Sequence, residues 1–366
     1  MTRPVRLALL LFITALVWLP ISTHVPSGRS ALASSAVTAK SAGTIWLRLA
    51  ARCEELAREP LPPYPWPIAP FHQEHPVRGY FGDPRTVFSG KGEAALSFHN
   101  GIDISAWRGN RVYPVVSGTV IDVDGDRVIV QATARRRFQY IHIWPLVRVG
   151  ESVFASRTVL GIVPERWSHV HLTEIRSGCA VNPLAPGHLT PFTDRTRPRI
   201  TTIRFVDSAG RAIDPASLAG NVRLIVNAQD EPALPAPGQW QEMPVTPALL
   251  TWQLATLRGS ILLRGIGADF RYSEPPAGDF CSVYALGTVQ NFAAVAGVYR
   301  WAQPGRFLFD LTPRPIDTSQ LEAGPYLVTV TASNLGGHVA TRTVRVAIRE
   351  RGLLRLKPAR RDRRCG

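Results

Sequence analysis

A histidine and an aspartate lie four residues apart, at His99 and Asp103, in the segment SFHNGIDIS. On a helix this spacing would place both side chains on one face, close enough to share a metal ion. The segment does not read as a helix, because it contains an Asn-Gly turn signal and alternates apolar with polar residues. On a flat strand, at about 3.3 Å per residue, the pair would stand about 13 Å apart. Either the pairing is a coincidence or the chain bends at Asn100-Gly101 and brings the two groups together.

Three further histidines extend this set: His142 in FQYIHIWP, and His169 and His171 in SHVHLTEI, so that five candidates fall within 73 positions. On a strand, residues i and i+2 share a face with about 6.6 Å between their Cα atoms. His169 and His171 could therefore both reach one metal ion, or one could bind it while the other serves a neighbouring substrate. Two histidines and one aspartate would leave a fourth position for water, which is typical of catalytic zinc sites. The alternative is a set of surface or core histidines with no common role.

Length and composition predict a globular protein with room for two domains and a tail. The chain has 366 residues, of which 45% are hydrophobic and 19% charged, and domains usually contain about 100–200 residues. Its 29 glycines and 31 prolines separate many short alternating segments. This pattern favours an all-β architecture.

The N-terminus has the three parts of a secretory signal. Two arginines precede an apolar run over residues 7–21, and an Ala-Leu-Ala site precedes Ser34. We therefore predict a signal peptide over 1–33 and a mature protein that is secreted or held in the cell envelope, without a stable membrane span. The alternative is an uncleaved anchor. Pro20 and the shortness of the run disfavour it, since a spanning helix needs about 20 residues.

The formal net charge of +15 predicts attraction to anionic polymers. The tail, 349–366, contains eight Lys or Arg residues against two acidic ones. This tail could bind anionic wall polymers, or it could be only a solvated segment. Nucleic acid is not an expected partner, because no nucleic-acid-binding motif accompanies the charge.

The four cysteines are an even number, which permits two disulfides in an exported protein. They are Cys53, Cys179, Cys281 and Cys365. Three connectivities are possible, and the sequence does not choose among them. No C-x-x-C pair is present, so a cysteine-based zinc site is not expected.

Changes of pattern along the chain predict its organisation. After the signal peptide, residues 34–74 read as a short helix over 44–60 followed by a proline-rich linker. A strand-and-turn region follows over 75–190, where GTVIDVDGDRVIVQA predicts a hairpin around an Asp-Gly turn. Short alternating strands over 198–348 predict an immunoglobulin-like β-sandwich that ends in a hairpin.

Seven motifs within 75–186 resemble, in order, those of the lysostaphin-type zinc endopeptidases, the LytM-like peptidoglycan hydrolases. The motifs are VRGYFGDPR, FHNGIDIS, VSGTVIDV, YIHIWPLVRVGESV, LGIV, HVHLTEIR and GCAVNPL. The resemblance implies a small antiparallel β peptidase domain with one zinc ion per chain at the floor of a groove. It also implies that the substrate is a peptide bond of bacterial peptidoglycan, and that the chain bends at Asn100-Gly101 to close the first pair on the metal.

Carried over motif by motif, the resemblance implies that His99, Asp103 and His171 bind zinc. It gives His142 and His169 acid–base roles beside the metal, without saying which imidazole accepts a proton and which donates one. The alternative function is a catalytically inactive envelope module that binds cell wall or regulates other hydrolases. Such degenerate relatives usually lose ligands, whereas all five positions are present here.

Three neighbouring features allow two interpretations each. Tyr140 could position substrate or be one more strand aromatic. Glu174 follows His171 by three positions and could be taken for a general base. No H-E-x-x-H helix is present, however, so we expect a structural or supporting role. The arginines at 135–137 could contact substrate carboxylates or form a solvated turn.

Overall fold

The computed structural model describes residues 51–86, 96–165, 168–275, 280–292 and 301–349. Within these ranges the chain is built mainly of antiparallel strands, so the predicted all-β class is confirmed. The predicted signal peptide and the tail beyond Arg349 lie outside the described residues. In the part of the chain that the structure describes, no helix has the length and apolar character needed to cross a membrane.

The N-terminal half, which we define as residues 51–190, contains one large sheet and two small ones. Its strands are β1 (Val77–Gly79), β2 (Pro84–Arg85), β3 (Ser97–Phe98), β4 (Ile102–Ser105), β5 (Arg111–Val112), β6 (Gly118–Asp124), β7 (Arg127–Thr133), β8 (Arg136–Ile141), β9 (Trp144–Pro145), β10 (Ser152–Val153), β11 (Gly161–Ile162), β12 (His169–Arg176) and β13 (Cys179–Val181). The large sheet has the order β1-β4-β12-β8-β7-β6-β10, with β13 paired to β12. Strands β5, β11 and β9 form a separate sheet, and β2 pairs with β3.

Strand β12 lies in the interior of the large sheet, between β4 and β8. Its sequence HVHLTEIR is buried almost throughout, because both of its faces are covered. The predicted hairpin is formed by β6 and β7, whose two turn residues are Gly125 and Asp126. Gly125 adopts a φ of 57°, a left-handed conformation that glycine accepts at little cost.

The C-terminal half, which we define as residues 198–349, contains two antiparallel sheets. Its strands are β14 (Arg199–Val206), β15 (Ala212–Ile213), β16 (Asn221–Gln229), β17 (Leu249–Thr256), β18 (Ile261–Asp269), β19 (Leu308–Asp310), β20 (Ile316–Asp317), β21 (Gly324–Ser333) and β22 (Val339–Ile348). One sheet has the order β15-β14-β16-β19, with β20 also paired to β16, and the other has the order β18-β17-β21-β22. The predicted final hairpin is β21–β22. That these sheets form an immunoglobulin-like β-sandwich, and that the domains divide at 190–198, remain predictions.

Helical structure is scarce in the described residues. Residues 51–58 are helical, within the helix predicted over 44–60, and a second helix covers Phe280–Val283. Single 3₁₀ turns cover Pro215–Ser217, Gly238–Trp240 and Thr318–Gln320. A disulfide between Cys53 and Cys179 joins the first helix to β13 across 126 positions of sequence.

The two halves share one buried hydrophobic cluster, and this cluster includes Phe98, the residue that precedes His99. The ring of Phe98 packs against those of Phe270, Phe280 and Tyr284, with centroids 5.5–5.9 Å away. The Tyr284 hydroxyl also donates a hydrogen bond to the carbonyl of Gly82 at 2.7 Å. The C-terminal half therefore supports the chain at the residue that precedes His99.

Candidate metal centre

Two adjacent strands and one bend bring His99, Asp103 and His171 together. Strands β4 and β12 are antiparallel, and their register places His171 directly opposite Asp103. The chain leaves β3 at Phe98 and enters β4 at Ile102, so the His-Asn-Gly segment between them forms the bend. His99 reaches the same point from this bend. The flat-strand geometry, which would hold His99 and Asp103 about 13 Å apart, is absent.

The three side chains present one donor atom each to a common point. His99 Nε2 lies 3.1 Å from Asp103 Oδ1 and 2.9 Å from His171 Nδ1. His171 Nδ1 lies 3.0 Å from the same oxygen of Asp103. A tetrahedral zinc ion with bonds of about 2.0–2.1 Å separates its ligand atoms by about 3.3 Å. The three donors could therefore hold such an ion after small adjustments.

Each of the two metal-facing rings has a hydrogen-bond partner for its outer nitrogen, on the far side from the cluster. His99 Nδ1 donates to the carbonyl of Tyr80 at 2.9 Å, which leaves Nε2 to face the cluster. His171 Nε2 lies 2.8 Å from Oγ1 of Thr173, a hydroxyl that can accept its proton and so leave Nδ1 to face the cluster. Partners of this kind select the tautomer and orient metal-binding histidines. The cluster thus presents two imidazole nitrogens and one carboxylate oxygen.

The protonation states also suit a metal. Burial, helped by the nearby Arg85, lowers the pKa of His99 to about 4, so the imidazole is neutral near pH 7. Burial alone would raise the pKa of Asp103, but His99, His169 and His171 together hold it well below its usual range. Arg85 Nη2 donates to Asp103 Oδ2 at 3.0 Å, which leaves Oδ1 to point into the cluster. Metal binding requires these deprotonated forms.

His142 lies beside the cluster and is paired with an aspartate from the β6–β7 turn. Its Nδ1 donates to Oδ2 of Asp126 at 3.0 Å, so the acceptor nitrogen of the neutral ring is Nε2. Burial lowers the pKa of His142, and Asp103 and Asp126 oppose the shift. The residue has a φ of 68°, a backbone conformation that is uncommon outside glycine and is often found at functional sites.

His169 has the opposite arrangement. Nη2 of Arg78 lies 2.6 Å from His169 Nδ1, and because a guanidinium can only donate, Nδ1 must accept. The proton of the neutral ring is therefore on Nε2, which lies 3.5 Å from Asp103 Oδ1. The rings of His142 and His169 are neighbours, with centroids 4.5 Å apart. Arg78 is itself covered by Trp240, whose ring lies 4.0 Å from its guanidinium carbon.

The close packing of the cluster depends on a residue without a side chain at the bend. A Cβ atom on Gly101 would lie 2.4 Å from the carbonyl oxygen of Leu172 and 2.7 Å from Nε2 of His171. The glycine of the Asn-Gly signal thus allows β12 to approach the bend.

The cluster opens into a cleft of about 410 Å³, which we call the metal cleft. Its lining includes His99, Asp103, His142 and His171 from the N-terminal half, and Glu274 from the C-terminal half. A larger cleft of about 600 Å³ is lined by Arg78, Ser105, Trp107 and Trp240. Both halves of the chain therefore contribute walls around the site.

Tyr140 and Glu174 do not belong to the metal centre. Tyr140 is fully buried, and its hydroxyl accepts a hydrogen bond from the Val115 amide at 2.9 Å, so it belongs to the core. Glu174 follows His171 by three positions and therefore lies on the opposite face of β12. It is fully buried and accepts hydrogen bonds from Arg136, Arg176, His188 and Tyr64. Arg136 is thus a buried structural partner, not a substrate contact.

Sequence reasoning missed the side chains that orient the two outer histidines. Arg78 lies in the motif VRGYFGDPR and Asp126 in the turn of the predicted hairpin. Asp126 could have been found from the sequence, because it lies in the turn of the predicted hairpin. Strand β7 of this hairpin is next to β8 in the sheet, so the turn residues lie near the end of β8. Arg85 lies in the same motif as Arg78, and Glu274 carried no signal.

No protein-family model matches this chain, and no curated protein does. Among solved structures, a zinc-containing peptidase from Vibrio cholerae shows 20% identity over 34% of this chain and 39% of its own length, with a TM-score of 0.26. The catalytic domain of the prophage-encoded protein EnpA from Enterococcus faecalis shows 23% identity over 32% of this chain and 95% of that domain, with a TM-score of 0.26. Lysostaphin shows 13% identity over 71% of this chain and 94% of its own, with a TM-score of 0.24. The chain spans less than half the length of the Vibrio cholerae peptidase.

Proposed function

We propose that the protein is a zinc metalloendopeptidase that hydrolyses peptide bonds of bacterial peptidoglycan. One observation carries the proposal: a His-Asp-His donor set, with one ligand atom of each residue turned to a common point, lies beside two imidazoles that are held in opposite tautomers. A structural metal site needs only the donor set. The two additional histidines, oriented by Arg78 and Asp126, are what peptide hydrolysis requires and a structural site does not.

The residues divide the proton transfers between them. His142 Nε2 accepts a proton from the water molecule that attacks the scissile carbonyl, and Asp126 stabilises the imidazolium that results. His169 Nε2–H donates a hydrogen bond to the carbonyl oxygen as negative charge develops on it. The proton on His142 then passes to the leaving amine, so that the neutral imidazole is restored. Zinc held by His99, Asp103 and His171 would supply Lewis acidity at this place.

The substrate class is supported by sequence features. The seven motifs of the N-terminal half resemble those of peptidoglycan hydrolases, and the N-terminal segment has the pattern of a secretory signal. The net charge of +15 favours approach to an anionic wall. We accordingly place the protein outside the cytoplasm, secreted or in the cell envelope, with peptidoglycan as its partner.

Substitution of the three donors tests the proposal. His99→Ala, Asp103→Ala and His171→Ala should each bind less than one equivalent of zinc and lose the release of soluble fragments from purified peptidoglycan. His72→Ala is the matched control, since His72 is an exposed histidine outside the clefts. If all three donor variants kept wild-type hydrolysis, the proposal would be wrong. A wild-type chain that bound zinc and wall but released nothing would favour the inactive envelope module.

A further inference from the structure

The C-terminal half completes one wall of the metal cleft with a single carboxylate, that of Glu274. The segment that carries it is attached to the large sheet by its backbone. Ser273 pairs with Val181 of β13 as an isolated antiparallel bridge, and the amide of Asn182 donates to the carbonyl of Tyr272 at 2.8 Å. Glu274 is thus held at the cleft by the same strand that borders β12.

The charge of Glu274 is not balanced within the described residues. Among them, no hydrogen-bond or ion-pair partner reaches its carboxylate. Arg85 is a cation lining the same cleft, but it donates to Asp103 Oδ2 at 3.0 Å and makes no ion pair with Glu274. Glu274 is partly buried, and this burial raises the pKa of its carboxyl to about 7. A partly buried carboxylate that is not paired is costly, and a ligand that supplies a positive charge would remove the cost.

We propose that Glu274 forms a subsite for a primary ammonium group of the substrate, next to the bond that is cut. The inference rests on the proposed function, because peptides of the proposed substrate class carry free amines at chain ends and on diamino-acid side chains. A hydroxyl or an amide could donate a hydrogen bond to Glu274 but could not balance its charge. An ammonium supplies both, with three donors.

The subsite and general electrostatics predict opposite effects of amine acetylation on binding to the wall. Acetylation of the free amines of purified peptidoglycan makes the wall more anionic, so a protein of net charge +15 should bind it more tightly through charge alone. Recognition of an amine by Glu274 predicts weaker binding of the acetylated wall.

The test compares zinc-loaded wild-type chain, Glu274→Gln and Glu322→Gln on amine-intact and acetylated wall. Binding is measured by co-sedimentation in the cold, and hydrolysis by mass spectrometry of released fragments. We expect the wild type to bind and cleave the amine-intact wall about tenfold better, a difference of about 1.4 kcal/mol. Glu274→Gln should abolish this preference or reverse it, as charge alone predicts. Glu322→Gln, which makes the same change at an exposed position, should retain it.

Equal binding of both walls by the wild type would overturn the subsite. Weaker zinc binding by Glu274→Gln, with the amine dependence unchanged, would assign the carboxylate to the metal and also overturn it. Amine-dependent binding that requires Glu274 but is accompanied by no hydrolysis would support the subsite while refuting the proposed peptidase activity.

Discussion

Arg78 contacts His169 at 2.6 Å through Nη2 and Nδ1, and this contact decides which nitrogen of the imidazole carries the proton. Asp126 does the reverse at His142, where a carboxylate accepts from Nδ1 at 3.0 Å. Two histidines whose rings are neighbours are therefore prepared for opposite tasks. His169 is a hydrogen-bond donor towards the site, and His142 is an acceptor.

Removal of the Arg78 donor should slow the reaction without releasing the metal. Arg78→Met keeps an apolar stem under Trp240 but removes the guanidinium donor from His169 Nδ1, and we expect kcat to fall about 10- to 100-fold. Arg78→Lys, which retains a donor, should recover part of the loss. Zinc content and nitrogen chemical shifts of His169 in ¹⁵N-labelled protein check the cause. Wild-type kcat in a folded Arg78→Met variant would contradict this role for Arg78.

Loss of the Asp126 carboxylate should weaken the base and shift its titration. Asp126 is one of the groups that raise the pKa of His142 against the lowering effect of burial. In Asp126→Asn that pKa falls further, so the acidic limb of the pH–rate profile should move to lower pH while the maximal rate drops about tenfold or more. The measurement is kcat/KM across pH 4–9. A limb that moves to higher pH would assign the base elsewhere.

Only the parts of the candidate site that lie close together in the sequence could be predicted from it. The Asn-Gly bend at His99 and the two-residue spacing of His169 and His171 are local patterns of this kind, and the structure places these residues together. The local sequence around the Asp-Gly turn likewise predicted the β6–β7 hairpin. The partners of the outer histidines come from other elements: Arg78 precedes His169 by 91 positions and Asp126 precedes His142 by 16. Periodicity in one sequence carries no information about contacts between distant elements.

The contribution of the C-terminal half was beyond sequence reasoning for the same reason. Its alternating strands predicted a separate β-rich region, whereas the packing of Phe98 on Phe270 and the placement of Glu274 in the metal cleft depend on how the halves meet. For Glu174, by contrast, the sequence was sufficient. The absence of a helical zinc-binding motif indicated a supporting role, and its buried network agrees with that expectation.

A methyl group at Gly101 should disturb the metal site specifically. In Gly101→Ala the added Cβ would meet the Leu172 carbonyl and the His171 ring, so we expect zinc affinity to fall at least about tenfold. Gly118→Ala is the matched control, because its Cβ would come within 2.3 Å of the Gln131 carbonyl, away from the site. That variant should lose stability but keep its zinc affinity. Equal zinc affinities in both variants would refute the role given to Gly101.

Glu174 should stabilise the fold in a pH-dependent manner. Burial opposes its ionisation, but His188, Arg136 and Arg176 lower its pKa to about 2. A folded pKa below the ordinary value means that the carboxylate stabilises the protein above about pH 4.5, and that this stabilisation is lost as the pH falls towards 2. Glu174→Gln should therefore cost about 3–5 kcal/mol in the free energy of unfolding at pH 7.

Denaturant unfolding from pH 7 down to the acid limit measures this effect. The difference between wild type and Glu174→Gln should shrink below pH 4.5. The exposed Glu322→Gln should match the wild type throughout. A difference that stayed constant down to pH 2 would show that the network does not act through the charge of Glu174.

The most direct measurement uses residues 34–366 on purified peptidoglycan and counts newly released amino groups. The assay is run without additive, with a chelator, and with zinc restored after chelation. If the centre formed by His99, Asp103 and His171 hydrolyses peptide bonds, the chelator should abolish the release of amino groups and zinc should restore it. The fragment masses should then identify the bond. Undiminished release in a chelated protein shown to hold no metal would contradict this role of the centre.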